Sequence, residues 1–128
     1  MSFKHVLSIV LFVFILSGCG SKGVELMVGT YNEHEEVVFN KDKTLKNKES
    51  IEQVKSIINA SSTSGIKSKG KPDYVVIVHN KDDSTMELRA DLWLQADGTI
   101  TFNRGEDSEE VHSINKENSE TIKKLLQM

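Results

Sequence analysis

The sequence is poor in the devices that usually hold small exported domains together. Of its 128 residues one is a cysteine, Cys19, and one a proline, Pro72. A single thiol excludes an intrachain disulfide, so stability has to come from a packed core. Aromatic side chains make up only 6% of the chain, and Phe3, Phe12 and Phe14 fall at its extreme start, which leaves the interior mainly to aliphatic residues. An excess of positive charge is missing as well. The 16 basic and 19 acidic side chains argue against nucleic acid as a partner and against a polybasic grip on anionic lipid. No apolar run is long enough for a membrane-spanning helix, and no internal repeat or low-complexity tail is present.

Catalytic signatures are equally scarce. No serine sits in a Gly-x-Ser-x-Gly elbow. Gly65, Gly70, Gly98 and Gly105 are isolated, so no glycine loop is available to cradle a phosphate. The carboxylate pairs Asp82-Asp83 and Glu109-Glu110 lie in polar turns, where burial is not expected to tune a general acid. His34-Glu35-Glu36 and the group His79, Asp82 and Asp83 each fall short of the three or four ligands of a zinc site; only convergence with His112 would complete one. Asn80 to Glu87 lacks the glycine and alternating oxygens of a calcium loop. The expectation is therefore no catalytic set, no metal and no cofactor.

What the chain does have begins at its start. Lys4 and His5 precede the apolar run Val6 to Leu16, interrupted only by Ser8, and small residues follow: a signal-peptide pattern. Eleven residues at about 1.5 Å each cover roughly half of a ~30 Å hydrocarbon core, too little for a permanent span. An ordinary leader needs no cysteine at its exit, yet Cys19 directly follows Leu16-Ser17-Gly18. This resembles the lipobox of bacterial lipoproteins. The resemblance implies recognition of Leu16, Ser17 and Gly18 by signal peptidase II, cleavage after Gly18, and a diacylglyceryl thioether on Cys19. Two acyl chains make a stable anchor where one does not. The implied location is the cell membrane, with the body on its extracytoplasmic face.

Removal of residues 1–18 leaves roughly 110 residues, one domain's worth. Residues 19–23 form a short tether and 24–128 a single body. Val24 to Thr30 and Val37 to Phe39 read as strands around a polar turn. The lysine-rich segment Asn40 to Lys48 reads as a solvated connection, with Thr44-Leu45 able to extend the sheet. Ile51, Val54, Ile57 and Ile58 recur at helical spacing, with Asn47 or Ser50 as cap. Ser61 to Lys71 reads as a loop, closed by Pro72, which forces extended backbone before it. Asp73 to His79 is apolar on both phases, as in a strand covered on both faces. Leu88, Ala90, Leu92 and Leu94 then alternate with Glu87, Arg89, Asp91 and Trp93. Ala96-Asp97-Gly98 signals a hairpin, Ile100 and Phe102 continue the alternation, and Val111 to Ile114 can supply an edge strand. Ile122, Leu125 and Leu126 mark a last helix, capped by Asn115 or Asn118. The order β-β-α-β-β-β-(β)-α predicts an α+β fold, an antiparallel sheet with two helices packed on one face.

The lipobox leader, the helix Lys48 to Ala60, the Ser/Lys/Gly loop, Pro72-Asp73-Tyr74, Leu92-Trp93-Leu94 before the glycine hairpin, and Ser113-Ile114 before an Ile/Leu-spaced helix together resemble the YhfM-like domain. That domain occurs in small lipoproteins of Bacillus-type bacteria. The similarity spans about Ile51 to Leu126. No activity or catalytic residues are assigned to that family, so no site is carried over. The one conspicuous surface candidate is Trp93, whose phase sets it beside Arg89 and opposite Leu92 and Leu94. Either it covers the second sheet face, with the Arg89 stem along it, or it joins Val75 or Ile77 in an apolar patch for a partner. The expected function is a lipid-anchored, non-enzymatic binding domain for an envelope protein or wall component. The alternative is a small metal-dependent or hydrolytic surface enzyme.

Overall fold

The computed structural model describes residues 23–64, 70–105 and 110–128. The leader and lipobox, with Leu16, Ser17, Gly18 and Cys19, lie outside the described residues. The first strand, β1 (Val24–Tyr31), turns back into β2 (Val37–Phe39) through a loop built on Asn32. The Asn32 carboxamide oxygen accepts the backbone N–H groups of His34 and Glu36 at 2.9 and 3.0 Å, the local bonding that makes Asn a turn former. Gly29 is required where β1 and β2 meet. A Cβ there would lie 2.7 Å from Val37 Cγ1 and 3.0 Å from Phe39 Cδ1.

The lysine-rich connection follows, opening with a single 3-10 turn, Lys41–Lys43. Leu45 then pairs with Leu26 through reciprocal backbone bonds of 2.9 and 2.8 Å, pinning the connection to the stretch of β1 that β2 does not cover. Helix α1 (Lys48–Asn59) starts at Asn47, whose side chain accepts the Ser50 N–H. It buries Ile51, Val54 and Ile58. The short strand β3 (Ser62–Ser64) comes next, within the segment expected to be loop. It pairs with β7 across Thr63 and His112, and nothing apolar in Ser-Thr-Ser announces it.

The remainder is a meander of β4 (Tyr74–Asn80), β5 (Thr85–Leu94), β6 (Ile100–Asn103) and β7 (Val111–Ile114), closed by helix α2 (Lys116–Leu126). Asn115 caps α2 by accepting the Asn118 N–H at 2.8 Å. The β5–β6 hairpin turns at Gly98, whose φ of +91° suits glycine. Asp97 stabilises the turn by accepting both the N–H and the hydroxyl of Thr99. All strand pairs are antiparallel, and the seven-stranded order is β2-β1-β4-β5-β6-β7-β3.

Both helices lie on one face of this sheet, as the α+β reading expects. Ile51, Val54 and Ile58 of α1 and Ile122 and Leu126 of α2 share one buried cluster with Leu26, Val28, Val76, Val78, Leu88, Ala90, Leu92, Ile100, Phe102 and Ile114. Ser119 sits within this apolar layer with no solvent exposure. Its Oγ accepts the Ile100 N–H at 2.9 Å and donates to the Ile114 carbonyl at 3.1 Å, tying α2 to β6 and β7. A buried hydroxyl is tolerated because both its roles are filled.

Candidate functional site: the helix-free face of the sheet

Alternation along β5 sends Leu88, Ala90, Leu92 and Leu94 toward the helices, and therefore Arg89, Asp91 and Trp93 to the other face. Register fixes their neighbours. Ile77 stands opposite Arg89, Val75 opposite Asp91, and Thr101 opposite Trp93. Both residues considered as companions of Trp93 thus share its face, but they differ in depth. Val75 is fully buried and Ile77 is half-buried. The expectation of a strand covered on both faces therefore holds for Val75 and is relaxed at Ile77.

Trp93 itself is half-buried, and its indole N–H donates to the Gly70 carbonyl at 3.3 Å. That contact is set up by Asp73. Its N–H donates to the Leu92 carbonyl at 2.8 Å and its carboxylate accepts the Leu94 N–H at 2.7 Å, which clamps the chain just after Pro72 onto β5. Farther back along the same face of β5, Arg89 Nε donates to Asp91 Oδ1 at 3.2 Å. The Asp91 side chain is only 5% exposed, and a carboxylate so buried is normally retained only with a cationic or hydrogen-bonding partner. Gln95 Nε2 donates to Thr101 Oγ1 at 2.8 Å. A shallow cleft of about 390 Å³ is lined on this side by Ser64, Gln95, Asp97, Thr99, Thr101 and Ser113. The surface thus carries one indole, a guanidinium paired with the Asp91 carboxylate, and a cleft of hydroxyl, amide and carboxylate groups, held on adjacent strands and their turn. It is suited to contact and hydrogen bonding.

The three described histidines lie on separate elements. His34 lies in the β1–β2 loop, His79 on β4 and His112 on β7. His112 stacks on Phe102 at 5.1 Å between ring centroids, and its Nε2 lies 4.0 Å from a Glu110 oxygen. Among the described residues, no three histidine, cysteine, aspartate or glutamate side chains gather where a metal could be held. A second cleft of about 480 Å³ lies at the other end of the sheet, between the start of β1 and the first turn of α1. Sequence reading did not find it, because its lining comes from three stretches far apart in the chain, 23–25, 46–52 and Lys81.

The fold is similar to that of a solved thioesterase-like protein from Clostridium sporogenes ATCC 15579. The TM-score is 0.53 at 13% identity, covering 82% of this chain and 94% of that one. At that identity the likeness is one of fold alone. No curated protein matches the sequence. The family model described as YhfM protein matches residues 24–128, taking in β1 and β2 as well as the region from Ile51 onward that carries the sequence resemblance. On that match, which spans the whole described body, the chain belongs to the YhfM family.

Proposed function

We propose that this protein is a lipid-anchored, non-enzymatic binding domain on the extracytoplasmic face of the cell membrane. A diacylglyceryl group on Cys19 holds it there, and the helix-free face of its sheet engages an envelope protein or wall component. The anchor rests on the order of basic start, apolar run and Leu16-Ser17-Gly18-Cys19. Among the described residues no helix is long and apolar enough to cross a membrane. The observation that carries the binding role is the placement of a half-buried Trp93 and, four residues before it, Arg89 on the same face of one strand. Trp and Arg are enriched at the energetic centres of interfaces, and a strand holds them more rigidly than a loop.

A hydrolytic role is the second reading, and its support is the thioesterase-like description of the structural neighbour. One preparation separates the two. Intact cells carrying wild-type protein or Trp93→Ala are treated with a cell-impermeant crosslinker, and the same purified proteins are offered an acyl thioester. The binding reading expects a discrete crosslinked species that Trp93→Ala loses while its thermal unfolding stays within a few degrees of wild type. Turnover of the thioester by wild type, with no crosslinked species, would favour the hydrolase.

A further inference from the structure

The connection from Asn40 to Lys48 carries Lys41, Lys43, Lys46 and Lys48 with Asp42 as its one acid. In sequence it reads as a solvated link, but its folded path gives it a position. The Leu26–Leu45 pairing holds it along β1 and brings Lys46 and Lys48 to the end where β1 begins. Lys81, in the β4–β5 turn, reaches the same end because its backbone N–H donates to the Gly23 carbonyl at 2.9 Å. The cleft of about 480 Å³ opens there, lined by these three lysines together with Gly23, Val24 and Ile51. Its size is that of a small-ligand site.

Two carboxylates also line the cleft, and both are engaged. Glu25 pairs with Lys81 at 3.1 Å, and Glu52 with Lys55 at 3.5 Å. Lys46 and Lys48 form no ion pair among the described residues. They also flank the start of α1, where aligned peptide dipoles favour anions over cations. The lysine pair is therefore left facing both its own repulsion and that of the helix end, and an anion in the cleft would relieve both. Gly23, part of the lining, follows Cys19 by four residues, a reach of at most about 14 Å. With Cys19 lipidated, the cleft is held at the level of the headgroups.

We propose that this cleft seats the phosphate of an anionic phospholipid in the leaflet that carries the anchor, with Lys46 and Lys48 on the phosphate oxygens. The proposal rests on the lipid-anchored reading above. Asp82 and Asp83 in the adjoining turn confine the attraction to the cleft, so a single headgroup is recognised and the acidic balance of the whole chain is no obstacle. The seating also orients the body. Strand β5 leaves this end at Thr85, and Trp93 lies eight residues on, about 26 Å away along the strand. The Trp93 end then points away from the bilayer, where a partner can reach it.

The test uses the full protein as purified from the cells that make it, reconstituted in vesicles of phosphatidylcholine alone or mixed with phosphatidylglycerol. Lysine amines are pulse-labelled with an acylating reagent and read residue by residue by mass spectrometry. Lys46 and Lys48 should label at least about threefold more slowly in the phosphatidylglycerol vesicles, with the difference removed by high salt. Lys116, which lies near Gly98 at the far end of the sheet, should label equally in both. In a Lys46→Gln, Lys48→Gln double variant, any slowing at Lys81 should disappear. Equal labelling of Lys46 and Lys48 in the two vesicle types overturns the cleft proposal and leaves the anchor standing. Equal slowing at Lys116 overturns it too, as general adsorption. A protein that does not float with either vesicle overturns the anchored reading and this proposal with it.

Discussion

Ser119→Ala removes one oxygen from the centre of the fold, and its cost can be worked from the two bonds that oxygen makes. The variant leaves the Ile100 N–H, formerly bonded at 2.9 Å, buried without an acceptor. An orphaned buried donor costs about 1–3 kcal/mol. The Ile114 carbonyl loses the 3.1 Å hydroxyl bond, a smaller loss since a carbonyl has a second lone pair for other partners. Alanine returns up to about 0.5 kcal/mol through its better helix propensity. The net destabilisation is therefore about 1–2.5 kcal/mol, which for a domain near 100 residues lowers Tm by roughly 5–12 °C. Thermal unfolding of the chain from Gly20 onward, followed by far-UV circular dichroism, reads this directly. Ser56→Ala, on the exposed side of α1, controls for propensity and should be neutral or slightly stabilising. A Ser119→Ala midpoint within about 2 °C of wild type would refute the claim that this hydroxyl ties α2 to the sheet.

Gly29→Ala should destabilise by about 1–3 kcal/mol through overpacking against Val37 and Phe39, and a Val37→Ala background should recover part of the loss in the same unfolding assay. Asp97 has its carboxyl held below the ordinary 3.8, first by the Thr99 hydroxyl and then by the Thr99 N–H. Since the folded state binds this proton less tightly than the unfolded state, the turn's contribution is complete above the ordinary value and fades as pH falls through the folded one. Thr99→Val should therefore move the Asp97 titration upward toward 3.8 in a carboxyl-detected NMR series, and an unchanged titration would show that the hydroxyl is not the main cause. Lys55 is displaced the other way, raised above 10.5 chiefly by its hydrogen bond to Glu87. Glu87→Gln should bring its ammonium group back toward that value, read by an NMR titration of the Lys55 Cε and Nζ resonances.

How much of this was legible beforehand depends on what each feature presents to a reader of one strand at a time. The alternation of Leu88, Ala90, Leu92 and Leu94 against Arg89, Asp91 and Trp93 fixed the two faces of β5 correctly, because a two-residue period has only two phases. The apolar spacings of Ile51, Val54 and Ile58 and of Ile122 and Leu126 likewise marked the buried sides of both helices. Thr44-Leu45 as an extension of the sheet proved correct through the Leu26 pairing. The caps, left open between two residues each, resolved to Asn47 and Asn115.

The features that escaped are those whose cause lies on another element. Ser62–Ser64 is a strand because β7 offers its edge, and its own side chains carry no apolar signal. Ser119 looks like any helix-surface serine until β6 and β7 arrive beneath it. Gly29 reads as an ordinary strand interruption, and only the approach of Val37 makes it necessary. The site divides in the same way. The face of Trp93 was legible from phase, whereas its bond to the Gly70 carbonyl depends on Asp73 clamping a distant loop onto β5. The lysine cleft was hidden because a run with Asp42 inside it and Glu49 after it reads as solvated, and only the path past Leu26 turns Lys46 and Lys48 toward Gly23.

On the lipid-anchored reading, residue 19 becomes the attachment point of a body held outside the cell. Mass spectrometry of the amino-terminal peptide of protein isolated from the cells that make it is the direct test. The account predicts a chain that begins at Cys19 and carries the mass of a diacylglyceryl group on its sulfur. An unmodified cysteine at that position, or a chain still bearing residues 1–18, would contradict it.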